Sequence, residues 1–111
     1  MDRRDVFAII KPSGIPAIYG WWEPGNEPER PYAVLHYLYN EDMGADNGVW
    51  LPKQRWQLDL VSDRKSEAAE KAIETALHDG GLLFSKTEDI QDEVTKDPYC
   101  IVHYRFTTIG D

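Results

Sequence analysis

The alternation of residues 55–61 is the sequence feature that most constrains the fold. Three apolar side chains occupy every second position in this run: Trp56, Leu58 and Leu60. The positions between them are polar: Arg55, Gln57 and Asp59. Successive side chains of a β-strand point to opposite faces, so the pattern predicts a strand with one buried face and one polar face.

A helical pattern follows this strand, from about residue 64 to residue 79. Its apolar stripe recurs at helical spacing: Ala69, Ala72, Ile73, Ala76 and Leu77. Ser62 or Asp63 is the predicted N-cap, and Gly80-Gly81 ends the helix. Charged residues on the other side predict a solvent-exposed face: Glu67, Glu70, Lys71 and Glu74.

Four more segments have the composition of strands, and their predicted bounds are 17–22, 32–40, 82–86 and 99–109. The first ten residues predict a short helix that ends before Pro12. Segments 23–31, 41–48 and 88–96 are predicted to be irregular. Three strands, a helix and two strands predict one α+β domain over residues 1–111, with an antiparallel sheet of four to five strands and the main helix on one face.

Composition and charge exclude several classes of function. Twenty acidic residues against 12 basic ones give a net charge of −8, which argues against a nucleic-acid partner. No apolar run approaches the ~20 residues of a membrane span. The run from Val6 to Ile10 is too short for a signal peptide, so we expect a soluble protein that is not exported by this route. Cys100 is the single cysteine, so no intramolecular disulfide is possible.

Candidate catalytic and metal-binding residues do not form a recognisable set. The acidic segment 40–48 lacks the spacing of a calcium loop. His36, His78 and His103 lie far apart in sequence, although His36 and His103 could face each other across paired strands. Cys100 lies on an apolar strand face, which favours an inert thiol. With no nucleophile or phosphate-binding motif either, we expect no enzymatic activity, no cofactor and no bound metal.

The tryptophans are the most conspicuous surface candidates. Trp21 and Trp22 are adjacent, so in a strand they point to opposite faces and cannot both enter one core layer. Trp50 follows a glycine-containing turn, where burial is not assured. Trp56 belongs to the alternating strand and is expected in the core. The first three are therefore candidate interface anchors.

Several short runs, taken together, resemble a known family. They are Ile15–Tyr19, Pro31–Val34, Gly44–Trp50, Trp56–Leu60, Lys65–Leu77 and Ser85–Tyr104. The chain resembles the small tail-completion or tail-terminator-like proteins encoded in the structural gene clusters of long-tailed phages and prophages. The resemblance covers nearly the whole chain, and its motifs are structural and not catalytic.

The resemblance implies a protein of the virion neck, made in the bacterial host cytoplasm. Such a subunit caps the finished tail tube, often as a hexameric ring, and helps to join tail to head. Its partners would be copies of itself, the tail tube protein and the head-tail connector protein, without nucleic acid, membrane or cofactor. The candidate interface residues are Trp21, Trp22, Arg30, Asp46, Asn47, Trp50 and Arg55. In a ring this acidic, acids on a neighbour would pair with Arg3, Arg4, Arg30, Lys53, Arg55 or Arg64.

Two other functions remain open at this stage. The chain could be a small acidic protein-interaction or regulatory module of phage origin, with the acidic stretch from Glu88 to Asp97 as its binding surface. It could also be a small enzyme whose cleft uses His36 or His103. The second alternative needs both imidazoles to converge on a solvent-open pocket.

Overall fold

A computed structural model of the chain describes residues 2–20, 22–23, 25–26, 28–44, 50–63, 66–91 and 99–109. For residues 40–44, 50–52, 88–91 and 99 the description is limited to the backbone. The fold is α+β, as predicted, and the elements follow the predicted order.

Within the described ranges, five strands form one mixed sheet. They are β1 (Ala17–Tyr19), β2 (Tyr32–Gly44), β3 (Trp50–Ser62), β4 (Phe84–Gln91) and β5 (Tyr99–Ile109). Their order across the sheet is β1-β2-β3-β5-β4. The three ladders that involve β3 or β5 are antiparallel, whereas β1 pairs with β2 in parallel. The prediction of a purely antiparallel sheet is wrong for β1, because the segment between β1 and β2 carries the chain back to the end of the sheet where β1 began.

The strands are longer or displaced relative to their predicted bounds. β2 continues to Gly44 and β3 begins at Trp50, although segment 41–48 was predicted to be irregular. β4 starts and ends later than predicted and covers residues 88–91. Alternation in sequence reports burial on one face, so it does not detect the polar ends of a paired hairpin. Residues 45–49 and 92–98 lie outside the described part.

Two α-helices of the described residues pack against the sheet, α1 (Arg3–Ile10) and α2 (Glu67–Asp79), and a short 3-10 helix (Lys11–Ser13) follows α1. α1 confirms the predicted short N-terminal helix, and the Asp2 and Asp5 side chains cap it reciprocally. The N-cap prediction for α2 is wrong: the Ser66 hydroxyl accepts the Ala69 N–H at 3.2 Å. Ser62 is still the last residue of β3, so it cannot begin the helix.

The core lies between the helices and one face of the sheet. The predicted alternating set of β3 is buried there, Trp56, Leu58 and Leu60, and so is one face of β5: Cys100, Val102, Tyr104 and Phe106. The helices contribute Val6, Ile10, Ala69, Ile73 and Leu77 to the same cluster. Gly80 marks the close approach of the helices, because a Cβ there would overlap the Ile9 side chain. No helix in the described ranges is long and apolar enough to span a membrane.

The two β-hairpins extend from opposite ends of the sheet. β5 pairs with β3 only as far as Lys53, so the β2–β3 hairpin continues beyond it to the Gly44–Trp50 pair. At the other end, the β4–β5 hairpin reaches the Gln91–Tyr99 pair. Beyond the end of β5, the last three residue pairs of the β2–β3 hairpin form an arm that is two strands wide and leaves backbone groups available for further pairing. The β4–β5 hairpin extends past β3 by only the Gln91–Tyr99 pair, because β3 pairs with β5 as far as Ser62–Cys100.

Burial predicts contrasting effects of truncating two leucines. Leu58 is fully buried at the centre of the sheet, whereas Leu83 is 90% exposed. We expect Leu58→Ala to lower the free energy of unfolding by about 2–5 kcal/mol, because it removes core contacts and leaves a cavity. Leu83→Ala should change it by less than about 0.5 kcal/mol. Urea denaturation followed by tryptophan fluorescence measures both; equal losses would contradict the described core.

Candidate functional site: the uncovered face of the sheet and its margins

The sheet face opposite the helices is the main candidate for a functional surface. The core cluster places both helices on the other face. The uncovered face carries the intervening residues of the central strands, which are half-buried or exposed and mostly polar: His36, Arg55, Gln57, Asp59, His103, Arg105 and Thr107. Apolar residues lie on the same face at the end where β2 begins: Tyr32, Val34, Val61 and Ile101. The polar part of the face is therefore a hydrogen-bonding surface.

Asp59 is the centre of a network that joins three strands. Its Oδ2 lies 3.1 Å from His36 Nε2 on β2, and its Oδ1 lies 2.6 Å from His103 Nδ1 on β5. The Gln57 amide also donates to Oδ1 at 2.8 Å. Both carboxylate oxygens are thus engaged, and the Asp59 side chain is only 18% exposed.

The network can hold strands together, but its geometry does not suggest a metal site. Each histidine contacts Asp59 at a hydrogen-bond distance. Within the described ranges, no group of three or more His, Cys, Asp and Glu side chains could hold a metal ion. The two histidines do not face each other across paired strands, as the sequence had suggested. They lie on either side of β3, because β3 separates β2 from β5.

The hydrogen-bonded row continues towards the β2–β3 arm. The Arg105 Nε donates to Gln57 Oε1 at 2.9 Å, and Arg55 donates to Thr107 Oγ1 at 2.9 Å. Arg55, a predicted interface residue, therefore lies on the uncovered face with a half-buried side chain. Its guanidinium and that of Arg105 lie on diagonal positions of neighbouring strands, which places two positive charges on this half of the face.

Two other predicted interface residues lie at the opposite end of this face. The Trp22 ring packs edge-on against Tyr32, with ring centroids 6.1 Å apart. Its indole N–H is buried and has no hydrogen-bond acceptor among the described residues. Arg30 forms an ion pair with Asp63 at 3.2 Å. Trp22 is therefore half-buried and partly covers the sheet.

The remaining candidates cannot be placed on this surface. Trp21, Asp46 and Asn47 lie outside the described residues, as does Arg64. Trp50 begins β3 opposite Gly44, but its side chain is outside the description. Arg55 and the Trp22–Arg30 pair lie on different halves of the sheet, so the structure does not unite the predicted residues in one site.

The charged face of α2 is solvent-exposed at Glu67 and Lys71, as predicted, but the prediction is wrong for Glu70. Glu70 is only 4% exposed. The Lys86 ammonium on β4 contacts Glu70 at 2.6 Å and Glu74 at 3.0 Å. The Tyr104 hydroxyl donates to Glu74 at 3.0 Å. α2 is thus joined to the β4 margin of the sheet by a charged network, which we call the α2–β4 seam: Glu70, Glu74, Lys86 and Tyr104.

The contacts of the α2–β4 seam raise the pKa values of two of its side chains, Lys86 and Tyr104. Hydrogen bonding to Glu70 raises the pKa of Lys86 above its usual 10.5, and burial opposes this shift. Burial and the hydrogen bond to Glu74 raise the pKa of the Tyr104 hydroxyl strongly above its usual 10.0. Both effects favour the protonated form in the folded chain.

Sequence reasoning missed Asp59 and the α2–β4 seam for different reasons. Asp59 occupies a polar position of the alternating strand, but its partners depend on a register that one strand does not reveal. A signal for the seam was present: Tyr104 belongs to the buried set of β5, and a buried phenol needs a hydrogen-bond partner.

Removing the shared acceptor of the uncovered face should destabilise the fold. We expect Asp59→Ala to lower the free energy of unfolding by about 1–3 kcal/mol, since His36, Gln57 and His103 lose a partly buried acceptor. Asp63→Ala is the matched control, because its pair with Arg30 is exposed and should contribute less than about 1 kcal/mol. Urea denaturation at neutral pH measures both. Equal effects would show that the network contributes little.

The α2–β4 seam predicts loss of stability at alkaline pH. A group whose pKa is raised on folding stabilises the fold below its unfolded pKa, and this contribution disappears as the pH rises towards the folded pKa. For Tyr104 and Lys86 the decline should start near pH 10.0 and 10.5, their unfolded values. In Tyr104→Phe and Lys86→Met the free energy of unfolding should fall less steeply between about pH 10 and 12. An unchanged slope in both variants would contradict the assigned shifts.

Comparison with known proteins finds a similarity to a solved structure. No protein-family model matches the sequence, and no curated protein does. Among solved structures, the chain is similar to a chain of the "Virion of native gene transfer agent (GTA) particle", with 17% sequence identity and a TM-score of 0.55. The match covers 97% of this chain and 91% of the other. At this identity the similarity shows that the two chains share a fold over nearly their full lengths.

Proposed function

We propose that this chain is a structural protein of a phage or prophage virion neck, which caps the tail tube and helps to join tail to head. The observation that carries the proposal is the fold shared with a chain of a gene transfer agent virion, over 97% of this chain and 91% of that one. Two-way coverage supports a whole-subunit correspondence and not a shared fragment.

The surface of the chain supports a role in protein–protein contacts. The β2–β3 arm extends beyond β5 at one end of the sheet, and a two-stranded arm can pair with strands of a neighbour. Large apolar side chains are also exposed: Tyr19, Tyr37, Leu38, Tyr39, Leu83 and Ile109. A subunit with this surface suits a ring of identical copies that contacts a tube on one side and a connector on the other.

The proposed function needs no chemistry from side chains. The clusters with titratable groups, around Asp59 and in the α2–β4 seam, connect strands to each other and a helix to the sheet. Such contacts stabilise a rigid subunit. The alternative of an acidic regulatory module rests on segment 88–97, whose side chains are outside the described residues.

The proposal predicts a defect in particle assembly. Deleting the gene from the phage or prophage that carries it should yield separate heads and tail tubes of uneven length, because uncapped tubes neither stop growing nor join heads. Negative-stain electron microscopy of lysates measures both. The wild-type gene supplied in trans should restore joined particles, and normal particles in its absence would contradict the proposal.

A charge-reversed variant separates the proposal from its alternative. It replaces the five acids Glu88, Asp89, Asp92, Glu93 and Asp97 with lysine. If these acids were the binding surface of a regulatory module, the variant would lose binding to its partner, and particles would be normal even when the gene is deleted. In a neck protein whose contacts lie elsewhere, the variant should restore joined particles.

A further inference from the structure

We propose that Leu83 of one copy inserts into an apolar concavity on the β1 margin of the next copy, which forms a head-to-tail interface. The inference rests on the proposed ring and names the surface that would close it. The partner is therefore a second copy of this chain.

The knob of this interface is Leu83. It immediately precedes β4, the edge strand of the sheet, and is 90% exposed while its neighbour Leu82 is buried. Among the described residues it is the most exposed large apolar side chain. A single exposed leucine is common on protein surfaces. Leu83 lies at the margin of the sheet, where a neighbouring copy can contact it.

The hole lies at the other margin of the sheet. An open concavity of about 430 Å³ is formed where α1 and the segment before β1 meet, lined by Phe7, Ile10, Lys11, Gly14, Ile15, Pro16 and Ala17. Its walls are apolar, and Lys11 supplies the single charged side chain of the lining. Gly14 adopts a φ of 75°, which turns the chain from α1 into the concavity without a side chain.

The two margins carry opposite charge. Residues 3–19, which form the β1 margin, contain three basic residues and one acidic residue, a net +2. α2 and β4, which form the other margin, contain six acidic and two basic residues, a net −4. Opposite charge on the two margins favours contact between unlike margins and disfavours contact between like ones.

Strand direction is compatible with this contact. β1 is parallel to β2, and three successive antiparallel ladders relate β2 to β4. β1 and β4 therefore run in opposite directions. The sheet register places Leu83 about six residues, roughly 20 Å along the strands, from the level of Pro16, so Leu83 reaches the concavity when the next copy is shifted along the strand direction by that distance. Because knob and hole lie on different surfaces, the contact is heterologous, and such contacts close into rings when the rotation between copies permits it.

A disulfide experiment tests the geometry directly. Four strand spacings of about 4.8 Å separate the β1 and β4 margins, roughly 19 Å. A disulfide needs Cα atoms within about 7 Å, so Leu83→Cys and Pro16→Cys in one chain cannot pair with each other. Oxidation of the double variant should instead give covalent dimers, trimers and higher species on a non-reducing gel. The native Cys100 is buried and should not contribute.

The single variants are the matched controls. Each carries half of the pair, so oxidation should leave it monomeric. Dimers in both single variants would instead explain a ladder by disulfides between like residues and would overturn the interface. A ladder in the double variant alone supports the interface. Products that stop at the dimer in the double variant, or no cross-linking at all, would overturn it.

Self-association of the otherwise unmodified chain gives the second readout. Leu83→Asp should raise the apparent dissociation constant, measured by sedimentation velocity, at least about tenfold. Ile109→Asp is the control, because Ile109 is 53% exposed but lies at the end of an inner strand. A Leu83→Asp protein that still forms wild-type rings would refute the interface and leave the neck function standing. A wild-type chain that stays monomeric at all concentrations would refute the interface too, while the deletion phenotype still tests the neck function on its own.

Discussion

The fold depends on β3, because this strand contributes to both faces of the sheet at once. Its apolar set enters the core beneath the helices, and its polar set carries Asp59 into the network on the uncovered face. β3 also separates β2 from β5. A one-residue change of register would exchange the two sets, exposing the leucines and burying a carboxylate. The Asp59 network and the core therefore both stabilise the observed register of β3.

The charged groups show how an acidic chain keeps a compact fold. Glu70 and Glu74 are four residues apart on α2, and two carboxylates at that spacing repel each other. Lys86 lies between them and the sheet, within 2.6 and 3.0 Å of the two carboxylates. Tyr104 adds a neutral donor to Glu74. The α2–β4 seam thus turns a repulsive pair into the attachment of α2 to the edge strand, and leaves Leu83 projecting beside it.

Local patterns predicted the elements more accurately than their relations. β5 was predicted with its observed bounds because its alternation is continuous, and the buried face of α2 followed from spacing. The parallel pairing of β1 was missed because no local signal reports the direction of a neighbouring strand. The candidate site residues were selected by residue type. Whether they lie together in one site depends on the strand register, which local sequence patterns do not reveal. Asp59 was not selected as a candidate because an aspartate at a polar strand position is common. Its neighbours His36 and His103 are known only from the strand register.

The titratable groups of this chain and the surfaces proposed for its contacts are different parts of the structure. Its two networks of titratable groups would attract attention in an enzyme, yet both consist of contacts between neighbouring elements of the fold, and their effect is rigidity. Three features lie outside both networks: the exposed Leu83 side chain, the apolar concavity at Ile15 and Ala17, and the opposite charges of the two sheet margins. A rigid sheet fixes the distance and direction between such margins. Rigidity of this kind lets a small error in one contact remain small around a closed ring, whereas a flexible subunit would accumulate it and fail to close.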